Sequence, residues 1–151
     1  MVSVLPRGLQ PGAVLRHPRF YVDAETGEWK PKYLVVLAPT RGGDVVWRLL
    51  TSRYATMRPE RPPCHHGDPY PGFYLGVVDT AYKLGKKSWL DLRGFDDGDG
   101  ADVARLLRDA VLSMTSTLAG DLLRAALVCA AGADDTTPAQ ERAIRDQLAA
   151  L

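Results

Sequence analysis

The chain has 151 residues, and 46% of them are hydrophobic, which suits one globular domain with its own core. No apolar run approaches the length that crosses a bilayer, and the first residues lack the basic and apolar regions of a secretion signal. These features exclude a membrane-spanning protein and predict a cytoplasmic one. Only two cysteines are present, Cys64 and Cys129, so we expect free thiols rather than a disulfide framework.

The first 95 residues have the pattern of β-strands separated by polar turns. Two of the predicted strands, 33–37 and 45–50, form a hairpin through Arg41-Gly42-Gly43. Their nearly continuous Leu and Val content indicates burial on both faces, which predicts a small closed barrel. The other predicted strand segments are 12–15, 20–22, 73–78 and 88–92, and a turn with Lys83, Lys86 and Lys87 joins the last two.

A proline-rich loop, residues 53–71, interrupts this series of strands. Prolines lack the N–H that a central strand donates, and a loop this long in a compact domain is usually functional. It contains Cys64-His65-His66, but adjacent side chains rarely converge on one ion and the paired spacing of zinc ligands is absent. We therefore expect no metal and no other cofactor, and assign His65 and His66 to contacts with nucleic acid.

Residues 96–151 have the pattern of helices. Apolar side chains from Val103 to Met114 recur at helical spacing after Asp99, a residue type that caps helices. A second helix is predicted over 117–131. A third helix is predicted to begin after Thr137 and to end at about Ala150. Thr137 and Gln140 form a capping box at its start, and Pro138 takes the first helical position. The fold class is thus α+β, with a β-barrel domain over 1–95 and an acidic helical extension over 96–151, packed on the barrel or at a dimer interface.

Charge is divided unequally between these two parts. Residues 1–95 carry 14 Lys and Arg against 8 Asp and Glu, whereas residues 96–151 carry 5 against 10. A positive surface attracts a polyanion without sequence-specific contacts. The first part therefore has the composition of a nucleic-acid-binding face, although dispersed charges that only keep the fold soluble are the alternative.

The central hairpin also brings specific chemistry together. A cation, Lys32, opens its first strand, and two hydroxyls, Thr51 and Ser52, close the second. Antiparallel pairing places the start of one strand beside the end of the next. An ammonium group and two alcohols at one sheet rim suit binding, and also cleavage, of a phosphodiester.

These elements together resemble the PemK/MazF family of toxin endoribonucleases. The resemblance covers residues 10–95 and rests on the opening Gly12-Ala13-Val14, the cation before the first hairpin strand, the closing Thr51-Ser52 and the late strand 88–92. It implies an SH3-like barrel that forms a homodimer, cuts single-stranded RNA without a metal and is silenced by an antitoxin protein.

The resemblance also implies roles for individual residues. An arginine that the family uses for cleavage corresponds to Lys32 here, and the family's threonine corresponds to Thr51, with Ser52 beside it. Lysine lacks the rigid fork with which arginine holds a phosphate, so either another arginine replaces it or activity is weakened.

Metal-independent RNA cleavage needs a base, a cation and an acid. Histidine titrates nearest neutral pH, so His17, His65 and His66 are the candidates for the base or acid, with His17 preferred. Lys32, Arg53 and Lys86 are the candidates for the cation. Candidate contacts with nucleic acid, by charge or by base stacking, are Arg16, Arg19, Arg53, Tyr54, His65, His66, Tyr70, Lys86 and Lys87.

Two other interpretations stay open. The barrel could be a non-catalytic module that binds nucleic acid or protein, having lost the family's arginine. Alternatively, the acidic helices could neutralise the protein by lying across its basic groove.

Overall fold

A computed structural model describes residues 7–78 and 86–151 of the chain. Within them the fold is α+β, as predicted, and every helix is too short or too polar to cross a membrane. A 3₁₀ turn, Arg7–Leu9, precedes seven strands and three helices. These are β1 (Ala13–Val22), β2 (Trp29–Pro39), β3 (Val45–Thr51), β4 (Cys64–His65), β5 (Gly72–Gly76), β6 (Ser88–Asp91), α1 (Gly100–Arg108), β7 (Ser113–Thr117), α2 (Gly120–Ala131) and α3 (Pro138–Ala150).

The seven strands form one antiparallel sheet in the order β4-β5-β6-β3-β2-β1-β7. In the described part of the chain β4 and β7 are edge strands that do not pair with each other, so the predicted closed barrel is not confirmed. The hairpin β2–β3 lies at the centre, with Leu34 opposite Leu49 and Val35 opposite Arg48.

Both faces of the central hairpin β2–β3 are buried because helices cover them, which explains why an open sheet has the sequence pattern expected of a barrel. On one face Val35, Leu37 and Leu50 pack with apolar residues of α2 and α3. On the other face Leu34 and Val36 pack with α1 and the 3₁₀ turn. Strands buried on both faces have near-continuous apolar sequences whatever covers them.

The acidic part is not entirely helical. Asp99 accepts the N–H of Asp102 and caps α1 as predicted, but α1 ends at Arg108 instead of continuing to Met114. Ala110 follows with a φ of 59°, and the chain then runs as β7, which pairs with β1. The boundary predicted at residue 95 is therefore crossed by both the sheet and the core.

The two cysteines are joined by a disulfide, so the expectation of free thiols is wrong. Cys64 lies on the edge strand β4, and Cys129 lies in α2, which packs on that end of the sheet. A low cysteine count argues against a network of disulfides. It does not indicate whether two distant segments of the chain lie close enough to form a single one.

A buried arginine joins α3 to the sheet. Arg48 on β3 is fully buried, and its Nη2 donates to Gln140 Oε1 at 2.9 Å. Gln140 Nε2 in turn donates to Asp97 Oδ1 at 2.9 Å, so the amide connects a buried cation to a carboxylate. Gln140 also completes the predicted capping box with Thr137.

Replacing Gln140 by alanine is expected to lower the free energy of unfolding by about 3 kcal/mol, because a buried charged donor loses its acceptor. Urea unfolding monitored by circular dichroism measures this loss. Gln147→Ala removes the same group from a partly exposed position of the same helix and should change stability by less than about 0.5 kcal/mol. Equal effects of the two substitutions would contradict a structural role for the Arg48–Gln140 contact.

Candidate nucleic-acid interface

The central hairpin brings the predicted cation and hydroxyls into one cavity. Continuing the Leu34–Leu49 register by two residues places Lys32 opposite Thr51. Both side chains line a cavity of about 400 Å³. Its full lining is Pro31, Lys32, Tyr33, Leu50, Thr51, Ser52, Arg53, Lys86 and Ser88. Five residues predicted from the sequence thus meet at one place: Lys32, Thr51, Ser52, Arg53 and Lys86.

This cavity continues into a groove. A second cavity of about 80 Å³ shares Lys32, Thr51 and Arg53 with it and adds Asp91 and Arg93. A third, of about 230 Å³, shares Asp91 and Arg93 and extends to Phe95. We call the three the cationic groove. Its walls carry four cations, Lys32, Arg53, Lys86 and Arg93, against one carboxylate.

Arg93 is a functional candidate that the sequence analysis missed. Its Nε and Nη2 donate to the two oxygens of Asp91 at 3.1 and 2.7 Å, and its guanidinium lies 3.7 Å from the centre of the Tyr70 ring. The carboxylate and the ring fix the plane of the guanidinium beside the groove. A rigid arginine of this kind is the group that binds phosphate best.

A second arginine that the sequence analysis missed, Arg58, packs against the ring of Tyr70. Arg58 is 5% exposed and lies 3.9 Å from the centre of the same ring, so Tyr70 is stacked between two guanidinium groups. Arg58 also approaches the ring of Trp89, and its Nε donates to Arg53 O at 3.0 Å. The proline-rich loop is therefore anchored on the sheet beside the cationic groove.

The pKa of Lys32 is lowered from its ordinary value of 10.5. Burial is the largest cause, Arg53 and Arg93 add positive charge, and Asp91 acts in the opposite direction. Loss of the proton is thus easier than for an exposed lysine. Partial burial and neighbouring cations are how proteins make lysine a general base.

The hydroxyl of Thr51 accepts two hydrogen bonds and can still donate one. Its Oγ1 accepts the N–H of Arg53 at 3.1 Å and the hydroxyl of Tyr70 at 3.5 Å. With both lone pairs engaged, the remaining capacity of the group is its own O–H.

His17 lies next to this site but does not line the groove. It is paired with Lys32 across β1 and β2, and its Nδ1 accepts the N–H of Arg19 at 3.3 Å. Burial lowers its pKa, so the neutral ring is favoured and carries its proton on Nε2. In this tautomer the basic nitrogen, Nδ1, is engaged by the backbone N–H of Arg19, and Nε2 is a donor.

The structure separates the other two histidines. His65 lies beside Arg58 and Gly72, with a pKa lowered first by burial and then by Arg58. His66 lies against α2, where its Nε2 is 3.3 Å from Cys129 O. Neither lines the cationic groove.

The remaining predicted contacts lie around the rim. Tyr54 packs edge-on against Tyr70 with the ring centres 6.3 Å apart, and Lys87 pairs with Glu60 at 3.2 Å. Arg16 and Arg19 belong to β1 and line none of the three cavities, and Lys83 lies outside the described residues. Tyr21, which the sequence did not single out, is exposed with its ring 5.5 Å from Lys32 Nζ.

The acidic helices do not lie across this groove. In the described parts of the chain, α2 and α3 pack on the face of the sheet that carries Val35 and Leu37, and no residue of any helix lines the three cavities. The interpretation that they neutralise the basic site thus lacks support from the geometry.

No family model, curated protein or solved structure matches this chain.

Proposed function

We propose that the protein binds single-stranded RNA in the cationic groove and cleaves it without a metal. The observation that supports this most is the meeting of Lys32, Thr51 and Arg53 in one open cavity that continues past Arg93. Four cations along a groove suit a chain of phosphates, not a single one.

The chemistry would use the ribose 2′-hydroxyl as nucleophile. Lys32, in its neutral form, takes the 2′-OH proton, and the 2′-oxygen forms a bond to phosphorus while the bond to the 5′-oxygen breaks. The products are a 2′,3′-cyclic phosphate and a 5′-hydroxyl. Proton removal by a positioned base contributes about 10²- to 10⁴-fold to such rates.

Charge on the reacting phosphate is offset by the neighbouring cations. Arg53 and Arg93 supply permanent positive charge, which frees Lys32 for proton transfer, and Thr51 donates its O–H to a phosphate oxygen. Lys86, which shares the cavity with Lys32, protonates the departing 5′-oxygen. In this proposal Arg53 and Arg93 together replace the arginine that the PemK/MazF family uses for cleavage.

The wider predictions from that family stay proposals of the same kind. They comprise toxin activity restrained by an antitoxin protein, assembly as a homodimer and residence in the cytoplasm. Their support is the site and not the fold, because the described sheet is open.

A non-catalytic RNA-binding module is the second candidate. One observation favours it: His17, the preferred proton-transfer residue from the sequence, does not line the groove. A binder would retain the affinity for RNA but would not break the chain.

Incubating the purified protein with labelled single-stranded RNA in EDTA tests the proposal. We expect fragments that end in a 2′,3′-cyclic phosphate and a 5′-hydroxyl. A DNA of the same sequence should bind but stay intact, because it lacks the 2′-OH. Binding of RNA without cleavage at any sequence would favour the module, and absence of binding would refute both candidates.

A further inference from the structure

A second cluster of reactive side chains lies on the opposite face of the sheet from the cationic groove. Cys64 pairs with Phe73, Phe73 with Leu90, and Leu90 with Leu50, so these residues form one row across the sheet that faces α2. Thr51 belongs to the alternate row, whose side chains point to the opposite face. On the α2 side, Cys64, His66 and Cys129 bring two sulfurs and an imidazole nitrogen within 4.8 Å of one another.

We propose that these three residues bind Zn²⁺ when the disulfide is reduced. His66 Nε2 lies 3.6 Å from Cys64 Sγ and 3.7 Å from Cys129 Sγ. A tetrahedral zinc ion, with Zn–S of about 2.3 Å and Zn–N of about 2.0 Å, holds sulfur and nitrogen about 3.6 Å apart. The imidazole is therefore already at ligand distance, and only the sulfurs have to separate.

The surroundings provide room for the fourth ligand. Cys64 and Cys129 both line a cavity of about 790 Å³, and His66 is exposed. A water molecule from this side completes a site with three protein ligands, a common arrangement for zinc. His66 Nε2 exchanges its contact with Cys129 O for the metal, and its ring proton moves to Nδ1.

The metal and the disulfide are alternative states of the same sulfurs. A dithiol reductant gives two electrons to the disulfide, becomes a disulfide itself and leaves two protein thiols. Zinc then binds both as thiolates and releases two protons. A hydroperoxide takes the two electrons back together with two protons, is reduced to an alcohol and water, and leaves the disulfide restored as the ion departs.

The sequence analysis considered Cys64 and His66 as metal ligands and rejected them, and it did not connect Cys129 with either. Cys64 and His66 are separated by one residue, and such a pair alone does not define a zinc site. Cys129 is 63 residues beyond His66, and only the packing of α2 on β4 brings it to them.

Cobalt(II) binding to the full chain tests the proposal. The protein is reduced with a phosphine, and Co²⁺ is added with spectroscopic detection. We expect one Co²⁺ per chain, with thiolate charge-transfer absorption and tetrahedral visible bands that added Zn²⁺ removes. The oxidised protein should show neither.

His66→Ala and His65→Ala form the matched pair, since both keep the cysteines. His66→Ala should weaken Co²⁺ binding by about two orders of magnitude, as expected when one of three protein ligands is lost, and His65→Ala should not. If reduction itself unfolds the chain, Zn²⁺ should restore a folded state with a cooperative thermal transition to reduced wild type and His65→Ala but not to His66→Ala. Equal behaviour of the two variants, or no thiolate absorption in reduced wild type, would overturn the site.

Discussion

Replacing Lys32 by arginine is expected to lower the rate of RNA cleavage by about 10²- to 10⁴-fold, although the charge is kept, because arginine does not give up its proton. Affinity for uncleavable single-stranded DNA should stay within about threefold, since the phosphate contacts survive. The measurement is cleavage under single-turnover conditions together with a binding titration. This substitution separates proton transfer from simple attraction of phosphate.

The pH dependence of the wild-type rate makes the same distinction. If Lys32 is the base, its neutral form is active, so the rate rises with pH as Lys32 loses its proton, over a range shifted below the ordinary pKa of 10.5. If Lys32 acted only by its charge, the rate would fall over that range. Subtracting the rate of Lys32→Arg removes spontaneous alkaline hydrolysis of the RNA.

Lys30→Ala is the control for both experiments. Lys30 lies two residues before Lys32 on β2, pairs with Glu28 at 3.7 Å and does not line the groove. The Lys30→Ala variant should cleave RNA at the wild-type rate and with the same pH profile. Full activity of Lys32→Arg would contradict the role of Lys32 as base while leaving RNA cleavage itself intact.

Five of the seven strands, β1, β2, β3, β5 and β6, were predictable because apolar runs and turn residues are local signals, whereas β4 lies in the segment predicted as a loop. The elements that cover the sheet were not predictable, because a strand buried by helices on both sides has the same sequence pattern as a barrel strand. β7 was also missed, because Met114 continues the helical spacing of α1. Thr115 and Thr117, which are β-branched, were the signal for a strand in this segment.

The site was predictable to the extent that it depends on neighbouring strands. Lys32 and Thr51 meet in one cavity because they lie where the pairing register of the hairpin continues, and a hairpin is a local structure. Arg93 was predictable in part, since Asp91 two residues earlier is a suitable partner for its side chain. The stacking of Arg93 on Tyr70 depends on the path of the proline-rich loop, which the local sequence does not predict.

The disulfide leads to the second large effect. Replacing Cys129 by serine is expected to lower the free energy of unfolding of the oxidised protein by about 4 kcal/mol, because a bond between residues 65 positions apart restricts the unfolded chain strongly. Cys129 is also 2% exposed, so the serine hydroxyl adds a further cost of about 1 kcal/mol if it finds no acceptor. Urea unfolding gives both midpoint and slope.

Reduced wild type in the presence of a chelator separates these two contributions, because it loses the cross-link and keeps both sulfur atoms. It should lose about 4 kcal/mol relative to the oxidised protein, and Cys129→Ser slightly more. Adding Zn²⁺ should then restore stability to reduced wild type alone, since serine is a poor ligand for this ion. If oxidised and reduced wild type unfolded at the same urea concentration, the disulfide would not be a constraint on the fold, and the packing of α2 on β4 would have to hold without it.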